Sequence, residues 1–113
     1  MSAQTLQHLF VYGTLAPNQP NAHILAPIHG SWQPATIRGT LLPNGWGAAL
    51  GFPAVIPNPA GEIVTGLVFS SEDLDAHWPR IDAFEGDGYQ RIKVPVELAN
   101  GDILTAFVYA LNC

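Results

Sequence analysis

The residues from Tyr89 to Ala110 carry the local pattern that most limits how this chain can fold. Apolar and polar residues alternate between Tyr89 and Leu98, as they do in a strand with one face in the core. Asn100-Gly101 follows, and this dipeptide favours a two-residue type I′ turn. A second β-favouring run, Ile103 to Ala110, comes after the turn. The pattern predicts an antiparallel hairpin whose apolar face is formed by Ile92, Val94, Val96 and Leu98.

Short apolar runs earlier in the chain predict the remaining strands. They are Leu9 to Tyr12, Trp32 to Leu42, Ala54 to Ile56 and Glu62 to Phe69. The first run does not alternate with polar residues, so we expect both of its faces to be buried. Asn21 is placed to cap a short helix that ends at Leu25. The segment from Pro43 to Pro59 is rich in proline and glycine yet apolar, which predicts a long loop folded over the core.

One principal helix is predicted before the hairpin. Ser70 lies three residues before Asp73, an acidic variant of the capping-box spacing that marks a helix start. Pro79 lacks a backbone N–H and should kink the helix or split it into two turns. Gly86 and Gly88 suit the turn that follows it. The apolar residues at helical spacing are Leu74, Trp78, Ile81 and Phe84.

Composition bounds the class of protein that these elements can build. A length of 113 residues predicts one α+β domain, residues 1–113, on a curled, barrel-like sheet of five or six strands. Apolar residues form 48% of the chain, so the core needs no metal or disulfide to support it. Four basic residues against nine acidic ones leave no basic stripe, which argues against nucleic acid and anionic membranes as partners.

Cysteine and histidine usage adds two expectations. Cys113 is the only cysteine, which excludes an internal disulfide. We see no signal peptide and no apolar run of membrane-spanning length, so we expect a cytoplasmic protein. The histidines have neither an i, i+4 partner nor a neighbouring cysteine, so we expect no metal site. They are His8, His23, His29 and His77.

The segment from Phe10 to Leu15 is the first that suggests a binding site. Its apolar run stops at Gly13-Thr14. Backbone N–H groups at such a strand end, with no Cβ in the way, can hold an anion or a carbonyl oxygen. An ordinary strand end explains the same residues.

Glu85 is the second candidate. It falls at the C-terminal end of the predicted helix, where the macrodipole disfavours a carboxylate. Between Phe84 and a glycine turn its pKa should rise towards the range that suits general acid–base catalysis. A solvated surface glutamate is the alternative interpretation. Asp82 lies on the same helical face, where it either raises that pKa by like-charge proximity or belongs to a solvated surface.

Motifs along nearly the whole chain resemble the γ-glutamyl cyclotransferase-like family, in the branch that includes γ-glutamylamine cyclotransferase and AIG2-like proteins. The resemblance rests on the order and spacing of these motifs. They are FVYGTL at 10–15 with NQPN at 18–21, GFPAV at 51–55, GLVF at 66–69, IDAFE at 81–85 with YQR at 89–91, and AFVY at 106–109.

The resemblance implies a small mixed β-barrel with flanking helices and a cavity at the strand ends. It also implies an enzyme that cleaves a γ-glutamyl amine or amide by attack of the substrate's own α-amine, an acyl-transfer or lyase reaction that needs no cofactor. The products are 5-oxoproline and a free amine. By matching motif, Glu85 takes the catalytic acid/base position. The residues that match the substrate-binding loop are Tyr12, Gly13, Thr14 and Leu15.

Supporting roles have two interpretations each. Tyr12 and Tyr109 either line the pocket and donate hydroxyl hydrogen bonds to the substrate or pack in the core. Tyr89 either closes over the site or only begins the hairpin. Arg91 either forms a surface pair, with Glu97 or Asp82 as its partner, or attracts a substrate carboxylate.

Several points are left open by the sequence. No motif between residues 42 and 51 identifies the leaving amine, which depends on the loop from Pro43 to Pro59. The role of Asp87 and the oligomeric state are also undetermined. A domain that binds a small carboxylate or amide without turnover is the second functional hypothesis.

Overall fold

The computed structural model describes residues 6–12, 22–42, 54–86 and 89–111. All predicted strands are present, and their ends differ from the predicted ones by two residues at most. The elements are β1 (Gln7–Val11), a 3₁₀ helix (Ala22–Ile24), β2 (Ser31–Leu42), β3 (Ala54–Pro57), β4 (Glu62–Ser71), α1 (Leu74–Glu85), β5 (Tyr89–Leu98) and β6 (Ile103–Leu111). The predicted short helix is thus a single 3₁₀ turn, and its proposed cap, Asn21, lies outside the described residues.

Five of the strands form a closed barrel in the order β2, β4, β1, β6 and β5. The barrel closes where β5 pairs with β2, and β3 adds a sixth strand to β2. β1 and β6 run parallel, whereas the other pairs are antiparallel, so the sheet is mixed. The predicted α+β fold, a small mixed barrel of five to six strands, is confirmed.

Two apolar clusters hold the molecule together, one inside the barrel and one between the barrel and α1. β1 contributes to both clusters, with Phe10 in the barrel interior and Leu9 and Val11 towards the helix. This double burial explains why its sequence does not alternate. Each such side chain contributes about 1.5–3 kcal/mol on burial. These buried side chains fix the position of the C-terminal end of β1, and therefore of Tyr12, which is the next residue.

The capping-box prediction named the wrong serine for the start of α1. Ser70 lies in β4, because that strand runs two residues further than expected. The neighbouring Ser71 acts at the helix start: its Oγ accepts the N–H of Asp73 at 2.9 Å and donates to the carbonyl of His29 at 2.5 Å. One serine thus joins the strand end, the helix start and the segment before β2.

Pro79 does not split α1, which runs unbroken from Leu74 to Glu85. Pro79 and Asp75, whose carbonyl loses its usual partner, are both exposed. Water can therefore satisfy that carbonyl. The opposite face of the helix packs on the barrel through Leu74, Trp78 and Ile81.

The β5–β6 hairpin forms as predicted, but its turn is not type I′. The N–H of Leu98 donates to the carbonyl of Asp102 at 2.8 Å, and the N–H of Gly101 donates to the carbonyl of Leu98 at 2.9 Å. This is a three-residue loop with Gly101 at φ 93°. The side chain of Asn100 accepts the N–H of Asp102 at 2.9 Å, which stabilises the longer loop.

No helix among the described residues has both the length and the apolar character to cross a membrane.

Candidate functional site

Four of the predicted site residues meet at one end of the barrel. Tyr12 follows β1, Glu85 ends α1, Tyr89 begins β5 and Tyr109 lies near the end of β6. The parallel strands β1 and β6 both end here, and the antiparallel β5 starts here. Burial raises the pKa of all three tyrosines, and the charge of Glu85 adds to each rise. Their hydroxyls and the carboxyl therefore share one electrostatic environment.

The loop predicted to bind the substrate, Gly13, Thr14 and Leu15, lies outside the described residues, as does Asp87. The chain enters this loop directly after Tyr12, at the same end of the barrel. The long segment from Pro43 to Pro59 is described only from residue 54 onwards. Within it, Val55 belongs to the barrel cluster against which Tyr12 packs, and its backbone acts to lower the pKa of Tyr12 against the larger effect of burial. Strand β3 therefore contributes a contact to the site that the sequence did not predict.

Glu85 is half-buried rather than solvated on the surface. Burial raises its pKa to about 7, because water is removed from around the charged form. The predicted direction of the shift is therefore right. The residue after the helix, Gly86, donates its N–H to the carbonyl of Asp82 at 3.0 Å. A carboxyl with a pKa near neutrality can both accept and return a proton.

The hydroxyls of Tyr12 and Tyr109 donate within the protein. Tyr12 donates to the backbone carbonyl of Tyr109 at 2.6 Å, and Tyr109 donates to Oδ1 of Asp82 at 2.6 Å. While these bonds hold, each hydroxyl oxygen can only accept a hydrogen bond from a bound molecule. This differs from the expectation that the two hydroxyls donate to a substrate.

Arg91 pairs with Asp82, one of the two surface partners that the sequence allowed. Its Nε lies 3.0 Å from Oδ1 and a terminal nitrogen lies 3.2 Å from Oδ2. The guanidinium carbon also lies 4.3 Å from the centre of the Trp78 ring and 5.0 Å from that of Phe107. The cation is therefore held by a bidentate ion pair and two aromatic faces.

Asp82 is the functional candidate that sequence reasoning undervalued. Burial acts to raise the pKa of Asp82, but hydrogen bonds from Arg91 and Tyr109 and the charge of Arg91 outweigh it and lower the pKa. The carboxylate is thus ionised and paired, and burial rather than Asp82 raises the pKa of Glu85. The sequence feature that could have identified Asp82 as a site residue is its position three residues before Glu85, on the same helical face.

No cluster of three or more histidine, cysteine, aspartate or glutamate side chains that could hold a metal ion occurs within the described parts of the chain.

Comparison with known proteins shows one family and several related folds. The family model described as gamma-glutamyl cyclotransferase, AIG2-like, matches residues 9–113. No curated protein sequence is significantly similar to the chain. YkqA from Bacillus subtilis is 33% identical with a TM-score of 0.71, over 96% of this chain. The match spans only 36% of YkqA, about a third of that protein.

Two further structures are similar. An AIG2-like protein from Mus musculus is 25% identical with a TM-score of 0.72, over 93% of this chain and 76% of the mouse chain. A structure described as a gamma-glutamyl cyclotransferase is 18% identical with a TM-score of 0.65, over 96% of this chain and 68% of its own. At that identity the likeness concerns the fold alone.

Proposed function

The chain belongs to the gamma-glutamyl cyclotransferase, AIG2-like family, and from this premise we propose that it cleaves a γ-glutamyl amine or amide to 5-oxoproline and a free amine. The observation that carries the proposal is Glu85, a half-buried carboxyl with a pKa of about 7 at the barrel end. Three tyrosines share its surroundings. No cofactor is needed, because the substrate supplies its own nucleophile.

In the proposed reaction the Glu85 carboxylate first takes a proton from the substrate's α-ammonium group. The freed amine attacks the γ-carbonyl carbon and forms the new ring C–N bond. Glu85 then returns the proton to the leaving nitrogen, and the original γ-glutamyl C–N bond breaks. The ring nitrogen gives up its second proton to the released amine, which departs as an ammonium ion. Attack within one molecule gains its rate from orientation, so no nucleophile on the protein is required.

The other groups of the site would bind and orient the substrate. The O–H groups of Tyr12 and Tyr109 already donate within the protein, which leaves the two hydroxyl oxygens to accept hydrogen bonds from the α-ammonium. We assign Tyr89 to the wall of the same pocket. Backbone N–H groups of residues 13–15 would hold the α-carboxylate or the developing oxyanion. We further propose that the protein acts in the cytoplasm on a small-molecule substrate, which cell fractionation would test.

The test is release of 5-oxoproline from a panel of γ-glutamyl amines, including γ-glutamyl-ε-lysine, and γ-glutamyl dipeptides. We expect release from at least one compound and its loss in Glu85→Gln, which keeps the shape of the side chain but cannot carry the proton. Glu97→Gln is the matched control, because Glu97 is exposed on β5. Release that Glu85→Gln leaves unchanged would refute the mechanism. Binding of panel members without turnover would favour the second hypothesis, a domain that only binds a small carboxylate or amide.

A further inference from the structure

We propose that Asp82 is a positioning residue for Glu85: its side chain clamps the last turn of α1 to Arg91 on β5 and Tyr109 on β6. The kinetic part of this inference rests on the proposed function. The structural part concerns only the position of one carboxyl relative to the barrel.

The clamp consists of three hydrogen bonds to one carboxylate. Oδ1 accepts from the Tyr109 hydroxyl at 2.6 Å and from Nε of Arg91 at 3.0 Å, and Oδ2 accepts from a terminal nitrogen of Arg91 at 3.2 Å. Hydrogen bonds to an ionised group are about twice as strong as those between neutral groups. These three hydrogen bonds therefore fix the orientation of the Asp82 side chain, although 43% of it is exposed.

The two partners of Asp82 lie directly opposite each other in the sheet. Arg91 and Tyr109 are paired residues of β5 and β6. Tyr109 is buried between the barrel and the helix, and Arg91 is held against the rings of Trp78 and Phe107. Asp82 therefore binds to a rigid point on the barrel wall rather than to a mobile surface side chain.

Glu85 depends on this anchor because it is the last residue of α1. The final turn of a helix lacks onward hydrogen bonds and frays readily. Here the carbonyl of Asp82 accepts the N–H of Gly86 at 3.0 Å, so the same residue closes the backbone of the turn that carries Glu85. Loss of the clamp should let this turn move outwards and bring water to the carboxyl. Within the described parts of the chain, the ionisable groups that interact electrostatically with Glu85 are Tyr12, Tyr89 and Tyr109, and Asp82 and Arg91 lie next to Tyr109.

The experiment is an NMR titration of the Glu85 side-chain carboxyl carbon in full-length protein. In Asp82→Asn we expect its pKa to fall from about 7 towards the ordinary glutamate value. Tyr109→Phe removes one hydrogen bond of the clamp but keeps the charge of Asp82. A lower Glu85 pKa in this variant therefore cannot result from loss of the Asp82 charge. Because both substitutions break the same unit, their combined effect should be smaller than the sum of the two. Asp75→Asn, an exposed position of the same helix, is the matched control.

The kinetic measurement uses the substrate that the 5-oxoproline assay identifies. We expect kcat to fall roughly tenfold or more in Asp82→Asn, with a smaller change in KM, since a misplaced acid/base slows the chemical step. A folded Asp82→Asn protein with a Glu85 pKa of about 7 would overturn the inference, whatever its stability. If Asp82→Asn does not fold, the Tyr109→Phe titration decides in the same way. Wild-type protein without turnover would refute the proposed function, and the titration would still decide on the clamp.

Discussion

At the scale of the residue, Glu85 places function and stability in opposition. Burial raises its pKa from 4.5 to about 7, so the folded protein favours the protonated form. The stability gained from this preference is fully present below about pH 4.5 and is lost as the pH rises through 7. Above pH 7 the folded state must hold a poorly hydrated charge. This cost is typical of a carboxyl adapted to proton transfer.

Replacing Glu85 by glutamine should therefore stabilise the protein at alkaline pH. At pH 8.5 we expect Glu85→Gln to raise the free energy of unfolding by up to about 3 kcal/mol, the equivalent of the pKa shift. Below pH 4.5 the two proteins should be nearly equal, because Glu85 is then neutral. Urea unfolding at the two pH values measures the difference, with Glu97→Gln as the exposed control. A difference of equal size at both pH values would contradict the prediction.

At the scale of the element, a single hydroxyl joins three parts of the chain. Ser71 is the last residue of β4, and only 2% of it is exposed. Its hydroxyl accepts the N–H of Asp73, directly before α1, and donates to the carbonyl of His29, in the segment before β2. The cap residue Asp73 makes no side-chain bond of its own to the helix. The start of α1, and hence the direction in which the helix carries Glu85, depends on this serine.

We expect Ser71→Ala to lower the free energy of unfolding by about 1–2 kcal/mol, because it removes the hydrogen bonds that Ser71 makes to the N–H of Asp73 and to the carbonyl of His29. Chemical denaturation measures the loss. Ser31→Ala, at an exposed position at the start of β2, should change stability little. Equal effects of the two substitutions would show that the hydroxyl of Ser71 is not used as the structure indicates.

At the scale of the whole molecule, closure of the barrel determines where the site is. β1 lies between β4 and β6, and its end brings Tyr12 to the tyrosines of the last two strands. The packing around β1 is close. A Cβ on Gly66 of β4 would collide with the carbonyl of Val11 and the ring of Phe10. The absence of a side chain at Gly66 therefore lets β4 approach the strand end that leads into the site.

Gly66→Ala should push β4 away from β1 and lower the free energy of unfolding by about 1–3 kcal/mol, the usual effect of overpacking. We expect 5-oxoproline release to fall as well, because Val11 directly precedes Tyr12. Thermal unfolding and the activity assay measure the two effects. Thr65→Ala, at the neighbouring exposed position, is the control. Stability equal to that of the wild type would show that this approach is looser than the structure indicates.

The sequence by itself determined the elements, because the patterns that specify them are local. The alternation in β5 predicted its buried and exposed faces, and the non-alternating run in β1 predicted burial on both sides. The motif order also identified the family, which the family model confirms. Only the tertiary structure decided which distant groups meet. The partner of Arg91, for example, depends on how α1 docks on the barrel. The burial of Glu85 is likewise a property of the assembled barrel and helix, because the tyrosines that share its surroundings come from segments far from it in sequence as well as from the nearby start of β5.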